Sequence, residues 1–301
     1  MNVRNGDIGF RIEGMVTLND ATEKAVCVLR ESGKKEFSVD GELYTRFSKH
    51  IGRYPCVVIA PDDIQLIIGA SEERRGFLDT IISQIDAVYL QSLINYTKIL
   101  QQRNSFLRNM YDGFGKDMSV LDVLDEQLAK EGNLIFRKRQ EFAGRFLPMA
   151  MKLYHEIAQR SEEISLTYDT EMLEISMDDL LKLNRQKDLL VQRTSGGIHK
   201  DDLLFHLKTR AFKSIASQGQ RKSLLFALKL AEVEIIKREK TVSPLLLLDD
   251  VFEKLDEERI NNLLQRVSSD ENMQIFITDT NCLRLRNELD KLNNPFEIIT
   301  L

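Results

Sequence analysis

The segment that most constrains this chain is a short polar turn at residues 217–220, Ser-Gln-Gly-Gln, joined directly to an apolar-periodic run at residues 223–238. Apolar residues recur in that run at helical spacing, which predicts a helix with one face packed on a core. The first backbone N–H groups of a helix have no partner within the helix, so its start is a ready anion site. We expect Ser217 to cap the helix and Gly219 to let a phosphate approach the backbone.

Two cations in the first turn of the same helix strengthen this interpretation. Arg221 and Lys222 lie where the positive end of the helix dipole disfavours cations. A bound anion would offset that cost, and the turn therefore favours a phosphate ligand.

A strand that ends in two acids follows the helix. Residues 245–250 read Leu-Leu-Leu-Leu-Asp-Asp, a short apolar run typical of a parallel strand buried on both faces. Ligands of open α/β sheets gather beyond the carboxyl ends of the strands, where Asp249 could hold Mg2+ and Asp250 would lie beside it. The same acids could simply form a turn after a strand, but the polar helix start upstream favours a nucleotide site.

Together these segments resemble the RecF recombination-mediator family, which belongs to the ABC-type ATPases related to the heads of SMC proteins. The matches to the family's signature, Walker B, D-loop and switch segments lie, in that order, at residues 217–220, 245–252, 255–256 and 275–278. Further matches are residues 60–63, Gly69, Arg74-Arg75, residues 77–79 and residues 199–203. The resemblance spans most of the chain and predicts an α/β fold, an ABC-type ATPase head with a mixed sheet, flanking helices and an inserted all-helical lobe.

The resemblance also assigns roles to individual residues. The nucleotide-binding residues that it implies are Ser217, Gln218, Gly219, Gln220, Asp256 and Thr278. It further implies that Asp249 supports Mg2+ and that Asp250 is catalytic and aligns the attacking water. Asp256 would face the partner subunit across the nucleotide.

One departure from the family pattern concerns the phosphate-binding loop. The family opens with a strand and a loop of the form G-x-x-x-x-G-K-[ST], whose lysine and backbone amides hold the β and γ phosphates. In this chain the Gly-Lys pairs at residues 33–34 and 115–116 are followed by Lys35 and Asp117, which lack the hydroxyl that the metal needs. We therefore expect a RecF-like chain that lacks its first few dozen residues, binds ATP weakly and is inactive alone. An expected closing strand at residues 297–301 indicates a complete C-terminus.

Changes of periodicity along the chain predict where its parts begin and end. Residues 8–47 alternate as antiparallel hairpins, and residues 56–60 form a short apolar strand. From residue 71 to residue 192 the pattern is helical, with a break at residues 112–115 and a softening at Gly132-Asn133. The predicted parts are the remainder of the N-terminal ATPase lobe at 1–70, the inserted helical lobe at 71–192, and the C-terminal part of the ATPase lobe at 193–301.

Cationic side chains of the helical lobe are candidates to follow a DNA phosphate backbone. The main candidates are Arg74, Arg75, Arg137, Lys138 and Arg139, and Arg103 and Arg108 are further cations that could do the same. A run of charges is also typical of a solvated helix face, and the Arg74-Arg75 pair, which belongs to a family motif, could as easily be structural. The formal net charge of −5 gives the chain no general attraction to DNA, so any basic face has to be local.

Other motif residues have no role that the sequence assigns. Asp62 and Asp63 follow a short apolar strand, where they could couple nucleotide to the helical lobe or simply cap the next helix. His199 could bind DNA, couple to nucleotide or anchor its turn to Asp201 or Asp202.

The resemblance implies an ATP-dependent DNA-binding protein of recombinational repair and replication, whose two copies form a homodimer on ATP and Mg2+. Such a protein binds gapped DNA, where single and double strands meet, and helps to load recombinase together with RecO- and RecR-type mediators. The family is a weak ATPase. An alternative is a nucleotide-independent remnant that binds only DNA or partner proteins. A nuclease is least favoured, because it would require a further acidic metal domain.

Composition and hydropathy predict a cytoplasmic protein that does not enter the membrane. No apolar run approaches the ~18 residues of a membrane span, and the N-terminus lacks a basic region followed by an apolar one. The three cysteines are widely spaced, which is typical of thiols in a reducing compartment.

Overall fold

A computed structural model describes residues 3, 4, 6–18, 21–111, 118–159, 162–240, 242–250, 257–270, 272–292 and 294–300 of the chain. The chain divides into two compact units, residues 1–54 and residues 55–301. These two units are defined only by how densely each is packed. The division into functional lobes at residues 1–70, 71–192 and 193–301 stays a prediction.

The first unit contains a four-stranded antiparallel sheet in which each strand pairs with the next along the chain. The predicted hairpins at residues 8–47 are therefore confirmed. Asp40 and Gly41 have positive φ angles of 49° and 85°, which suit the tight turn between the last two strands. In chain order the strands are β1 Phe10–Leu18, β2 Ala21–Leu29, β3 Lys35–Val39 and β4 Glu42–Leu43.

The second unit combines two three-stranded sheets with packed helices. Its strands are β5 Cys56–Ile59, β6 Ile164–Asp169, β7 Asp202–Leu207, β8 Arg210–Ala211, β9 Leu245–Asp249 and β10 Ile275–Thr278. Its α-helices are α1 Gln65–Ile68, α2 Ser71–Ile85, α3 Ala87–Tyr111, α4 Met118–Ala158, α5 Met177–Val191, α6 Phe212–Ile215, α7 Gln218–Lys240, α8 Glu257–Ser268 and α9 Cys282–Leu289.

The leucine run forms the middle strand of a parallel sheet, as predicted. β9 lies between β10 and β5 and is parallel to both, with Leu248 opposite Ile277 on one side and Ile59 on the other. Leu246 and Leu248, which point to one face of the sheet, are buried, while Leu245 and Leu247 on the other face are half-buried. The strand predicted at residues 274–278 is also formed, but as an edge strand it leaves Phe276 49 % exposed.

The helical segment predicted from residue 71 to residue 192 is interrupted by β6. This strand pairs antiparallel with β7, and Leu166 faces Phe205 across the ladder. Ile164, Leu166 and Tyr168 recur at every second position, which is the period of a strand. The alternation covers six residues, too few to stand out from the longer helical pattern around it.

The softening predicted at Gly132-Asn133 is not a break, because α4 runs through it as one helix. A Cβ atom at Gly132 would lie 3.0 Å from the Met177 side chain and 3.3 Å from the Tyr96 ring. The glycine therefore lets α4 approach α3 and α5 closely. The break predicted at residues 112–115 lies outside the described residues.

The closing strand predicted at residues 297–301 is wrong for the described positions. Residues 295–300 pair with no strand, and Ile299 is 75 % exposed. A strand needs a neighbouring ladder, and an apolar pair by itself does not supply one.

The apolar face of α7 packs against α4 and fixes the polar turn at the helix start. Leu224, Leu228 and Ala231 are fully buried, and they belong to one core that also contains residues of β5 and β9. Burying each leucine contributes about 1.5–3 kcal/mol. Within the described residues, no helix is both long enough and apolar enough to cross a bilayer.

Candidate functional site

The polar turn at the start of α7 is held by a reciprocal pair of hydrogen bonds. The backbone N–H of Gln220 donates to the Ser217 hydroxyl at 3.2 Å, and the Ser217 N–H donates to the Gln220 side-chain oxygen at 2.8 Å. This is a capping box, which satisfies two otherwise unpaired donors. The predicted cap is confirmed. Ser217 and Gln218 remain exposed, so the turn presents a preformed surface.

Gly219 has a protein neighbour that the sequence did not indicate. A Cβ atom at this position would lie 1.9 Å from Nη1 of Arg259, a residue of α8 that is only 9 % exposed. Contacts that short do not occur between real atoms, so position 219 has to be glycine while Arg259 keeps its place. The guanidinium of Arg221 donates a hydrogen bond to the Lys213 carbonyl at 2.9 Å.

A second polar group forms where β9 and β10 end. The two strands are in register, so Thr278 lies opposite Asp249, and its hydroxyl donates to the Asp249 carboxylate at 2.5 Å. The backbone N–H of Asp250 bonds to the Thr278 carbonyl at 3.1 Å and hydroxyl at 3.2 Å. Asp250 has a left-handed φ of 46°, which turns the chain sharply after the strand. We call Asp249, Asp250 and Thr278 the acidic edge.

The acidic edge offers oxygen atoms of the kind that bind Mg2+. Asp249 is exposed and Asp250 is half-buried. Two carboxylates and a hydroxyl form the hard-oxygen donor set that Mg2+ prefers. The structure thus brings together three of the residues assigned by sequence. A fourth, Asp256, lies outside the described residues.

Asp63 caps the next helix, which is one of the two roles predicted for it. Its carboxylate accepts a hydrogen bond from the Ala60 N–H at 2.9 Å, at the start of a short 3-10 helix, Pro61–Ile64. Nζ of Lys229 on α7 lies 3.5 Å from the same carboxylate. Asp62 is exposed.

Glu232 is a buried acid that sequence reasoning missed. It is 3 % exposed on α7, and Lys229 Nζ lies 3.8 Å from its carboxylate. Burial raises the pKa of Glu232 to about 7, an effect that Lys229 opposes and Asp63 reinforces. The available signal was an acid between Ala231 and Val233 on the apolar face of a helix.

His199 anchors its turn, although through other partners than Asp201 or Asp202. Its Nδ1 lies 2.8 Å from the Tyr96 hydroxyl, and its Nε2 lies 3.1 Å from the Thr194 carbonyl. Because a carbonyl only accepts, Nε2 carries the proton and Nδ1 accepts from Tyr96. Burial lowers the pKa of His199 to about 4, so the ring is neutral at pH 7.

Arg139 and Asp201 form the centre of a buried ion-pair network. Arg139 is 1 % exposed and lies 2.8 Å from both the Asp79 and the Asp201 carboxylates. It also donates to the Ile198 carbonyl at 2.7 Å, and burial raises the pKa of Asp201. The network therefore fixes the loop at residues 194–202, which we call the return loop.

Arg74, Asp202 and Arg75 complete the attachment of the return loop. Arg74 is 6 % exposed and makes a two-pronged ion pair with Asp202, at 2.6 and 2.9 Å. Arg75 donates to the Asp201 carbonyl at 2.6 Å. The structural interpretation of this arginine pair is therefore the one that the contacts favour.

These contacts change the set of candidate DNA contacts. Arg74 and Arg139 are buried with matched charges and cannot follow a phosphate backbone, so we do not retain them. Arg137 is exposed, and Lys138 is 42 % exposed while pairing with Asp86 at 2.9 Å. Arg75 is partly exposed.

Arg103 is a further buried arginine, and its burial likewise rules it out as a contact to a DNA phosphate backbone. It is fully buried, and its guanidinium lies 2.6 Å from Asp125 and 2.7 Å from Asp188. It also donates to the Thr194 hydroxyl at 2.8 Å, which ties the start of the return loop to α3. An arginine at a core-facing helical position was the only local signal.

Comparison with known proteins gives consistent matches over nearly the whole chain. No protein-family model matches the sequence. The chain is 40 % identical to the DNA replication and repair protein RecF of Flavobacterium johnsoniae over 301 residues, which cover the whole chain and 84 % of that protein. It is 39 % identical to the protein of the same name from Bacteroides thetaiotaomicron over 298 residues, covering 99 % of the chain and 80 % of that protein.

Two solved structures are also similar. Both are of the recombination mediator protein RecF in the RecFOR pathway. The RecF-ATP structure has a TM-score of 0.82 at 26 % identity and covers 93 % of this chain and 77 % of that one. The RecF-ATPrS structure has a TM-score of 0.80 at 26 % identity and covers 92 % and 76 %.

Proposed function

This chain belongs to the RecF family of DNA replication and repair proteins, and from that premise we propose that it is an ATP-dependent DNA-binding protein of recombinational repair. It binds gapped DNA in the cytoplasm, forms a homodimer on ATP and helps to load recombinase with RecO- and RecR-type mediators. The ATP in a similar RecF structure supports nucleotide binding. The observation that carries the proposal is the acidic edge, where adjacent parallel strands bring Asp249, Asp250 and Thr278 together.

The acidic edge and the capped turn have separate tasks in the proposed reaction. Mg2+ held at the acidic edge would supply positive charge opposite the transferred phosphoryl group. Asp249 would hold the ion, and the Thr278 hydroxyl orients its carboxylate. The two hydrogen bonds from the Asp250 N–H fix the backbone from which its carboxylate aligns the attacking water. The Ser217–Gln220 turn offers its N-terminal amides to the nucleotide of the partner subunit.

The site needs a phosphate-binding loop that residues 1–301 do not contain. The G-x-x-x-x-G-K-[ST] pattern is missing from this sequence. We therefore expect residues 1–301 to bind ATP weakly alone, yet to offer the capped turn to a partner that has the loop. The alternative function is the nucleotide-independent binding of DNA or partner proteins.

A mixed dimer distinguishes these functions. The partner is the Flavobacterium johnsoniae RecF protein, in which the residue aligned with Ser217 is replaced by arginine so that its own homodimer is impaired. We expect the 301-residue chain to associate with it in ATPγS at least about tenfold more tightly than without nucleotide, as measured by analytical ultracentrifugation. The chain with Ser217→Arg is the control and should not associate.

Two results would contradict the proposal. Association that is the same with and without nucleotide, together with DNA binding by the chain, would establish the nucleotide-independent function. A dissociation constant for ATP in the low micromolar range, measured by calorimetry on residues 1–301 alone, would overturn the expectation of weak binding.

A further inference from the structure

We infer that Arg259 is a positioning residue for the capped turn at residues 217–220, because its guanidinium packs on Gly219 and fixes that turn to α8. The inference rests on the proposed function, since the turn has a task only if it receives a nucleotide. Gly219 then serves two purposes: it admits a phosphate to the backbone, and it makes room for a guanidinium.

The contact between Arg259 and Gly219 is close and involves one edge of the guanidinium. From the position of a Cβ atom on Gly219, Nη1 lies at 1.9 Å, Cζ at 3.2 Å and Nη2 at 3.9 Å. Arg259 is 9 % exposed, so the group is held within the protein and does not swing in solvent. Any side chain at position 219 has to displace the guanidinium or the turn.

The helix that carries Arg259 is itself firmly anchored. Ile260, Leu263, Leu264 and Val267 of α8 are all 5 % exposed or less and belong to the main core. Their spacing puts them on one helix face. The guanidinium is therefore presented to the turn from a rigid base, which is what a positioning residue requires.

Arg259 lies three positions after Asp256 in the sequence, so it connects the turn to the segment that the resemblance places at the partner subunit.

Four variants and one control test the inference in the mixed-dimer assay. Arg259→Lys keeps the charge but loses the planar group, Arg259→Ala loses both, and Gly219→Ala introduces the clash. The double variant Gly219→Ala with Arg259→Ala removes the contact from both sides. Arg266→Ala is the control, because Arg266 lies on the same helix but pairs with Glu234 at 2.7 Å.

We expect Arg259→Lys and Arg259→Ala each to weaken ATPγS-dependent association about tenfold. The double variant should be no weaker than Gly219→Ala alone, because both single changes remove the same contact. The control should stay within about twofold of the unmodified chain. Melting temperatures should remain within about 3 °C for Arg259→Lys, which separates a positioned turn from a destabilised protein.

The inference is overturned if Arg259→Lys associates like the unmodified chain, or if the losses of the two single variants add in the double variant. Failure of the unmodified chain itself to associate would instead reject the proposed function, and the inference with it. The two failures are therefore distinguished by the unmodified chain.

Discussion

The return loop and the acidic edge are both clusters of charged residues, yet they differ in what surrounds the charges. At the return loop, Arg139 and Asp201 are almost fully buried, and each meets an opposite charge or a carbonyl. At the acidic edge, Asp249 is exposed, and its partner in the structure is the Thr278 hydroxyl. A closed set of ion pairs holds a fold together, while open carboxylates of one sign are available to a cation.

Desolvation explains why the two clusters respond differently to change. Taking a charge out of water is costly, and a buried pair offsets that cost only while both partners are present. Removal of one partner leaves the other charge buried and unmatched. An exposed carboxylate is solvated in any state, so its loss costs little stability.

The largest expected effect is at the return loop. Arg139→Ala leaves Asp79 and Asp201 without their shared cation and should lower the free energy of unfolding by about 3–5 kcal/mol. Arg137→Ala, two positions away and exposed, should change it by about 0.5 kcal/mol or less. Urea denaturation measures both. Equal losses in the free energy of unfolding for the two variants would mean that buried, paired charges and exposed charges contribute equally to stability.

An intermediate effect is expected at Glu232, which is buried like the return loop but incompletely paired. Its carboxyl has a pKa of about 7 in the folded state and 4.5 as the ordinary value. Below pH 4.5 it is protonated in both states and costs nothing. As the pH rises from 4.5 to 7, the unfolded state releases its proton first, so the folded state loses stability.

Glu232→Gln removes this loss. Relative to the unmodified chain, the variant should gain about 3 kcal/mol in free energy of unfolding between pH 4.5 and pH 8, at about 1.36 kcal/mol per pKa unit. Lys229 and Asp63, the charges near the carboxyl, are unchanged in the variant. Denaturation curves at a series of pH values measure the difference. A difference that does not vary with pH would mean that folding does not raise the pKa of Glu232.

The smallest effect on stability is expected at the acidic edge. Asp249→Asn keeps an oxygen that can accept the Thr278 hydrogen bond, so the free energy of unfolding should change by about 0.5 kcal/mol or less. Millimolar Mg2+ should raise the melting temperature of the unmodified chain but not that of the variant, because the amide is a poor magnesium ligand. Glu72→Gln, at an exposed acid of α2, is the matched control. A variant that unfolds easily, or that Mg2+ stabilises as much as it does the unmodified chain, would reverse the comparison.

Local patterns were sufficient to predict much of the fold and part of the candidate site. The family resemblance and the ATPase-head fold are confirmed by the relatives and the RecF structures. The cap at Ser217 follows from four adjacent residues, and the central parallel strand follows from the leucine run at residues 245–248. Each of these predictions needed only short-range information.

Long-range contacts decided what the sequence could not. Arg74 pairs with a carboxylate 128 positions away, and Gly219 is packed by a side chain from another helix. No local pattern contains such partners. Charge alone therefore could not distinguish Arg74 and Arg139, which are buried, from Arg137, which is exposed. The strand β6 was missed for a related reason, since its partner β7 lies beyond a further helix.

The length of α4 has a consequence for how this protein can be divided. Its 41 residues extend about 60 Å. Asn133, in its first half, accepts a hydrogen bond from the Met177 N–H at the start of α5. In its second half, Arg145 pairs with Glu239 of α7, and the Ile157 carbonyl accepts from Asn262 of α8. Excision of residues 71–192 would thus remove α4, against which the apolar face of α7 packs. The insert therefore shares its core with residues 193–301 and cannot be removed as a separate domain.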